Sequence, residues 1–537
     1  LDFHVCAAGS TQGRVTFEVR AEAKGDLVVN RLGLCLLHPS QVAGSRVEVV
    51  HADGRCSGST FPEHVPPWPP FMLVSGLRHE WTRGKWARAR LEGDVFETED
   101  QRNNADDSFK TYSRSNMAPR PYRIESGTVV RQRATLEVET RPPRKAMEVS
   151  GNHRRPRSMP ASVQIEAETT PWPSVGVEID ASDPWTPAMS SVVRDLSPGH
   201  LHLVWRPGMA VDWPVLGAML QAANARLRLD VLLADVPDGR VDAVWDDLAS
   251  GVRKLGAQLD AVAVFPARRV HLLAAGAVFP GARIGSGTPH FFVQLRRLDD
   301  LPTMDFASFT TCSIVHGVDD EDVMRGLDSL PALVATWRAR HPGISLRVGP
   351  SDIAARSSPL GAQPVTDGSR RIPLAEADPR SRAQFGASWA LGHVAGLAQA
   401  GVASISVLAL SHRTRGVVSI EPCGTASLRP SFHVMAALGR PALRRRVRHS
   451  APHRLTALAL QREGCCTVLL GNRHADSLEV RLAGLGQDAA VQRLDAETDG
   501  PPRWRAVEAG RRGRLDLPAY AVARVDIPLD ALPVGAG

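Results

Sequence analysis

The densest polar run of the chain lies between Phe96 and Ser113, where Glu97, Glu99, Asp100, Arg102, Asn103, Lys110 and Tyr112 fall close together. Carboxylates, two cations, an amide and a phenol in so short a segment are the groups that acid–base chemistry and charge stabilisation use. Phe96, Phe109 and Tyr112 flank the run and can pin it onto the protein, and a solvated loop rarely carries such anchors. The competing reading is a charged turn between two strands, set against the tendency of loops on rigid scaffolds to bear function.

No Gly-x-x-x-x-Gly-Lys-Ser/Thr, His-Glu-x-x-His or Gly-x-Ser-x-Gly sequence occurs, which argues against nucleotide-driven, zinc-protease and serine-hydrolase chemistry. Ser351, in Val348-Gly-Pro-Ser-Asp-Ile, comes nearest to a nucleophile elbow. The second glycine is missing, and a helix N-cap is expected there. His290, His316 and Asp235 would have to share a metal from separate strands at no diagnostic spacing, so no metal and no other cofactor is expected. Seven cysteines, at positions 6, 35, 56, 312, 423, 465 and 466, form no spaced pairs of the zinc or disulfide kind. Cys465 and Cys466 read as two core thiols of a strand, and a reducing cytoplasm is the simplest home.

These groups need elements to hold them. Val15-Thr-Phe-Glu-Val-Arg alternates strictly, and the same period returns from Ala134 and from Ser162, which predicts half-buried antiparallel strands. With turn-rich stretches between them, residues 1–175 read as an N-terminal β-sandwich. After Pro198 the texture changes to short runs apolar on both faces, at 201–205, 227–234, 261–265, 306–315, 346–349 and 402–410, each followed by a helical pattern. Strands buried on both faces belong to parallel sheets. About 250 residues of βα units is the size of a (β/α)8 barrel, expected here over 195–445, with a doubly wound sheet as the alternative. One helical stripe runs through Val244, Trp245, Leu248, Val252, Leu255 and Leu259. Another runs through Val323, Met324, Leu327, Leu330, Val334 and Trp337, with Pro331 as a break. Alternation resumes beyond 453, predicting a smaller C-terminal β-sandwich over 450–530. The basic clusters Arg141–Arg157 and Arg440–Arg448 are expected to be solvated connections.

In such a barrel, residues just past the C-terminal strand ends line the site: here Trp205, Arg206, Asp235, His290, His316, Asp352 and His412. His316 follows a long apolar run and precedes Asp319 and Asp320, so it can be a base or the acid that returns a proton. A hydrogen-bonded structural histidine is the other reading. Trp205 is a sugar-stacking platform if its ring faces the mouth, and core otherwise. No Glu falls at a strand end, which counts against a glycoside hydrolase with its two carboxyl groups. Glu421 is the one residue that a different strand count would move there.

At 537 residues, 43% hydrophobic and 23% charged, the chain is large enough for about two to four domains. It contains no run of roughly 18 uncharged apolar residues, and its start has no basic segment followed by an apolar one, so neither a membrane span nor an intact signal peptide is expected. The net charge of +7 comes from 59 Arg and 5 Lys spread along the whole length, with 3 Tyr. That is no nucleic-acid footprint.

The run from Glu99-Asp-Gln-Arg-Asn103 through Ser108-Phe-Lys-Thr-Tyr-Ser113 resembles the signature of the D-apionate lactonase family, enzymes that open the lactone of the branched sugar acid D-apionate. Asn30-Arg-Leu-Gly33 with Leu36-Leu-His-Pro39, Phe309-Thr-Thr-Cys312 with Ile314-Val-His316, Val348-Gly-Pro-Ser351, and Asp378-Pro-Arg380 with Trp389 continue the resemblance over most of the chain. The chain departs from the family pattern in two places. Asn104-Ala-Asp-Asp107 stands where the family has an aromatic residue and then Thr-Asp-Ala, and Arg296 stands where it has Asn.

The resemblance implies a three-domain, barrel-containing sugar-acid lactonase, a carboxylic ester hydrolase of carbohydrate catabolism. Opening a lactone requires a water deprotonated near neutral pH, a donor for the tetrahedral oxyanion and donors for sugar hydroxyls. Glu99 or Asp100 is then the candidate base, Lys110 or Arg102 the cation facing the oxyanion, and Asn103 the group that orients a hydroxyl. His316 is a further catalytic candidate; Arg102, Asn103, Trp205 and His290 are the substrate contacts. An ion pair of Glu99 with Arg102 that merely holds the loop competes with these roles. A glycoside hydrolase and a non-catalytic carbohydrate-binding protein are the alternative functions. The one partner expected is a small-molecule sugar lactone, with neither nucleic acid nor membrane, and the sequence does not fix an oligomeric state.

Overall fold

The structure, a computed structural model, describes residues 1–11, 13–139, 159–180, 187–298, 300–420, 425–483, 489–495, 502–508 and 513–532. The basic cluster Arg141–Arg157 and Glu421 lie outside the described residues. The chain forms two units: Leu1–Asn103 with Asp107–Arg157, and Asn104–Asp106 with Ser158–Gly537.

In the first unit the alternating stretches pair into a ten-stranded antiparallel sheet. It runs from Asp2–Gly9 through Arg14–Glu22, Val129–Glu139, Lys85–Glu92, Phe71–Thr82 and Phe96–Asp100 to Ser108–Tyr112 and Cys35–Pro39. Because successive side chains point to opposite faces, one set turns inward, and Val47, Phe61, Val74, Leu77, Leu91, Phe96 and Phe109 form the core.

The second unit contains the barrel. Its parallel strands are Ser174–Ile179, His200–Trp205, Arg226–Leu232, Leu259–Phe265, Arg283–Gly287, Phe306–Phe309, Ser345–Ser351 and Ser404–Ser411. Neighbours follow chain order and the first strand pairs with the last, which closes the ring. Six of the eight match the apolar runs. The fifth, Arg283-Ile-Gly-Ser-Gly, lacks one because the Phe306 ring takes the space: a Cβ on Gly285 would lie 2.5 Å from it. The second helical stripe is buried throughout; of the first, Trp245, Leu248, Val252 and Leu255 are buried, Val244 is half-buried, and Leu259 instead opens the fourth strand. The second divides into Asp320–Gly326 and Leu330–Arg340 around a short 3-10 turn, with Pro331 in the first turn of the later helix, where a missing N–H costs nothing. Asp320, Glu321 and Asp322 occupy the first turn of the earlier one and suit its positive end. Ser351 is not an N-cap: it ends the seventh strand, and its hydroxyl accepts from Thr311 N at 3.0 Å.

The domain boundaries shift from those read in the sequence. Ser174–Ile179 belongs to the barrel, and Ala161–Pro171 belongs to the C-terminal sheet, pairing antiparallel with Leu443–His449 and parallel with Leu478–Leu482. The cluster Arg440–Arg448 is therefore largely a strand. Its arginines meet acids across the ladder: Arg446 lies 3.3 Å from Glu166 and 3.2 Å from Glu168. The nine-stranded sheet encloses Val163, Leu455, Val468, Leu470, Val480, Leu517 and Val525.

Candidate active site

The hairpin Phe96–Asp100 and Ser108–Tyr112 accounts for most of the polar run. Its register sets Lys110 against Glu99 and Tyr112 against Glu97 on one face, and Thr111 against Thr98 and Phe109 against Asp100 on the other. On the second face the Thr98 and Thr111 hydroxyls are 2.8 Å apart, His38 Nε2 is 2.9 Å from Thr111, and His38 Nδ1 is 3.2 Å from His79. Burial pushes His38 down to about 3, so it stays neutral and structural.

The first face is different. Lys110 Nζ lies 3.7 Å from the Glu99 carboxylate and 5.0 Å from the centre of the Tyr112 ring. The Tyr112 hydroxyl donates to Glu97, which also accepts from Ser115 at 2.7 Å, and Arg31 lies 4.3 Å over the same ring. Burial, then the Glu99 charge, raises the phenol's pKa. Glu97 was named in the polar run and Arg31 within the early family stretch without a role for either, and Ser115 was not read at all. The signal for Glu97 was its place two residues from Glu99, on one strand face.

Asp100 and Arg102 are corrected. Arg102 Nε donates to Asp100 Oδ1 at 2.9 Å and Nη2 to Oδ2 at 2.7 Å, while its other contacts go to the carbonyls of Pro62 and Glu63. Both residues are buried; burial raises the Asp100 carboxyl and Arg102 opposes that rise. An acid with both oxygens engaged by a guanidinium is no base, and Arg102 has no fork left for substrate. The ion pair of the loop exists, with Asp100 rather than Glu99 as its acid. Asn103 is buried, and its Oδ1 has no hydrogen-bond partner among the described residues.

The next three residues, Asn104–Asp106, belong to the second unit. Ala105 takes a left-handed φ of 63°. A Cβ on Gly326 would lie 2.6 Å from the Ala105 oxygen, so only glycine admits this turn. The turn delivers Asp106 to His316, whose Nδ1 is hydrogen-bonded to the carboxylate. A carboxylate accepts only, so Nδ1 is the donor, and it is the neutral imidazole whose Nε2 keeps a lone pair. The His316 side chain is 33% exposed and that of Asp106 14%, which leaves the imidazole open to water. Asp106 is the partner that sequence reasoning missed.

At the C-terminal strand ends, His290 Nδ1 is 2.9 Å from the Ser357 hydroxyl, and burial lowers its pKa. Asp352 is buried beyond the seventh strand. Its Oδ1 accepts from Ile353 N at 2.6 Å and from Ser381 at 2.9 Å. Burial pushes it up to about 7, against the pull of Arg415. Glu178, one residue from the end of the first strand, pairs with Arg356 and, at 3.5 Å, with Arg415. A Glu does therefore stand at a barrel strand end, unseen because residues 176–194 were assigned to neither the sandwich nor the barrel. His412 is held at about 4 by burial and by Arg415 and Arg356. Arg206 and Asp235 are exposed. Trp205 is 2% exposed and packs as core, so it offers no ring face for a sugar. Among the described residues no three His, Cys, Asp or Glu side chains are grouped to hold a metal ion.

An eight-stranded barrel between two β-domains in the sequence, with an open imidazole–carboxylate dyad past its sixth strand, defines a three-domain TIM-barrel protein. The chain belongs to the D-apionate lactonase family. It matches that family's N-terminal domain over residues 1–141, its TIM barrel domain over 175–442 and its C-terminal immunoglobulin-like domain over 452–525. It is 32% identical over 439 residues to a D-apionate lactonase of Brucella anthropi, with 76% of this chain and 70% of that protein covered. Among solved structures it is similar to a GH30 endoxylanase from Clostridium papyrosolvens, at 11% identity and a TM-score of 0.45 over 69% of this chain and 100% of the other. It is also similar to a family 30 xylanase from Clostridium acetobutylicum, at 10% identity and a TM-score of 0.45 over 69% and 99%. Likenesses this distant say nothing about the chemistry of this chain.

Proposed function

We propose that the chain hydrolyses a sugar lactone of the D-apionolactone type to its aldonic acid. The observation that carries the mechanism is the His316–Asp106 dyad. His316 Nε2 takes a proton from water as the oxygen adds to the lactone carbonyl, and Asp106 stays ionised beside the imidazolium. When the ring C–O bond breaks, the imidazolium returns that proton to the departing alkoxide, leaving an acid and a free hydroxyl. His290 is proposed to contact substrate hydroxyls. A place in carbohydrate catabolism in the cytoplasm fits the described cysteines, which are free thiols.

Acid release from apionolactone in a pH-stat tests the reading. His316→Gln should lower the turnover number by about 100 to 10,000-fold with little change in melting temperature, the range of general acid–base catalysis. Unchanged turnover would remove His316 from the chemistry. As an alternative site within the first unit alone, Glu99 is proposed as the base and Lys110, 3.7 Å from it, as the cation for the oxyanion. Lys110→Met should then depress the turnover number, since attraction to a charge that grows in the transition state is lost there. A change confined to the Michaelis constant would refute that role.

A second reading rests on Glu178 and Asp352, two acids at barrel strand ends, one paired with arginines and one neutralised by burial. A glycoside hydrolase uses such a pair, and release of an aryl aglycone without acid from lactones would favour it.

A further inference from the structure

The interior of a barrel of this fold is ordinarily filled by branched apolar side chains. Here the half toward the N-terminal strand ends is charged. His202, Arg228, Asp230, Ser308, Arg347 and Ser406 are among the residues lining an interior cavity of about 10 Å³, room for one water-sized body. Of the acids there, Asp260 is the one held by guanidinium groups, while Asp230 makes no hydrogen bond to its neighbour His202. Asp230 lies 3.1 Å from His202. Asp260 is shared between Arg228 at 3.1 Å and Arg283 at 2.8 Å. Arg347 is attracted to Asp260 and Asp230 only through space. It is 6% exposed, its guanidinium lies 3.6 Å over the Phe306 ring, and neither Nε nor Nη2 has a hydrogen-bond partner among the described residues.

Buried guanidinium nitrogens without an acceptor are unfavourable. We propose that this cavity binds one small anion of the halide class, chloride, between Arg347 and Arg228. So little room for the centre of a water-sized body suits a monatomic ion better than phosphate, sulfate or an aldonate, and water would satisfy donors without cancelling charge. Burial lowers Arg347 to about 9 and Arg228 to about 10, aided by repulsion from Arg228 and Arg283 at the first and from Arg283 at the second, so both remain cationic at neutral pH. Burial also keeps His200, which accepts from Arg228 at 3.3 Å, neutral. The cavity lies in the opposite half of the barrel from His316, so the ion serves the fold and not the proton transfers.

Thermal unfolding at constant ionic strength, with chloride replacing gluconate, reads the site. The melting temperature of the unaltered protein should rise by on the order of 3 °C, as expected for a ligand that binds only the folded state, while Arg347→Met stays flat. An equal rise in both proteins would be a general salt effect and would overturn the proposal, as would no rise in either. If Arg347→Met does not fold, crystals of the unaltered protein grown in bromide decide. An anomalous peak within hydrogen-bond reach of Arg347 Nε or Nη2 supports the ion, and water density there refutes it.

Discussion

Asp100-Gln-Arg102 in the first unit and Asp378-Pro-Arg380 in the barrel are built to one pattern. In each, the arginine N–H and Nε donate to Oδ1 of the preceding Asp and Nη2 donates to Oδ2 at 2.7 Å, with a 3-10 turn following. Both are buried. They differ in what the remaining guanidinium nitrogens hold. Arg102 ties down the carbonyls of Pro62 and Glu63. Arg380 donates to the carbonyl of Val318 at 2.9 Å and to Asp320 at 3.0 Å, the stretch between His316 and the helix after it. An acid two residues before an arginine is thus first a local bracket, and only its outward contacts show whether it positions chemistry.

Cutting the brackets gives the largest expected effect. Arg102→Met and Arg380→Met each strand a buried carboxylate, a loss of about 3–5 kcal/mol in stability, read as a fall in melting temperature. Turnover at a temperature where both variants remain folded should separate them. Arg102→Met should keep its turnover number, whereas Arg380→Met should lose part of it because the His316 segment loosens. Equal turnover in the two variants would break the comparison and reduce Arg380 to a structural role.

The comparison also shows what the sequence could carry. Barrel strands with apolar runs were legible because burial on both faces leaves a compositional mark. Arg283–Gly287 left none, its bulk being supplied by Phe306 from the next strand. The strand Ala161–Pro171 alternates as a sandwich strand should, but alternation does not say which sheet it joins; its last residue, Pro171, pairs with Leu443, 272 residues further along, and that pairing is a property of the folded chain. The polar run was conspicuous for its composition, yet two of its charges are spent on each other, because a spacing of two lets an arginine fold back on its acid. His316 was found from its place at a strand end. Its partner was not, since 210 residues separate it from Asp106. Asp106 is nevertheless the one residue of Asn104-Ala-Asp-Asp107 that agrees with the family pattern, so the departure there spares the dyad.

Asp352 sharpens the comparison with a smaller effect, because it is a buried acid without a guanidinium fork. Its hydrogen bonds come from one backbone amide and Ser381, and burial raises it from 3.8 to about 7. Folded Asp352 therefore holds its proton more tightly than unfolded Asp352. Its contribution to stability is complete below about pH 4 and falls as pH rises toward 7, by at most about 1.4 kcal/mol per pH unit. Asp352→Asn removes the titration, so the melting temperature of the unaltered protein minus that of the variant should decline from pH 4 to 7 and level off above. A difference that is flat, or that climbs with pH, would mean that Asp352 is held ionised as the bracketed acids are, with Arg415 outweighing burial.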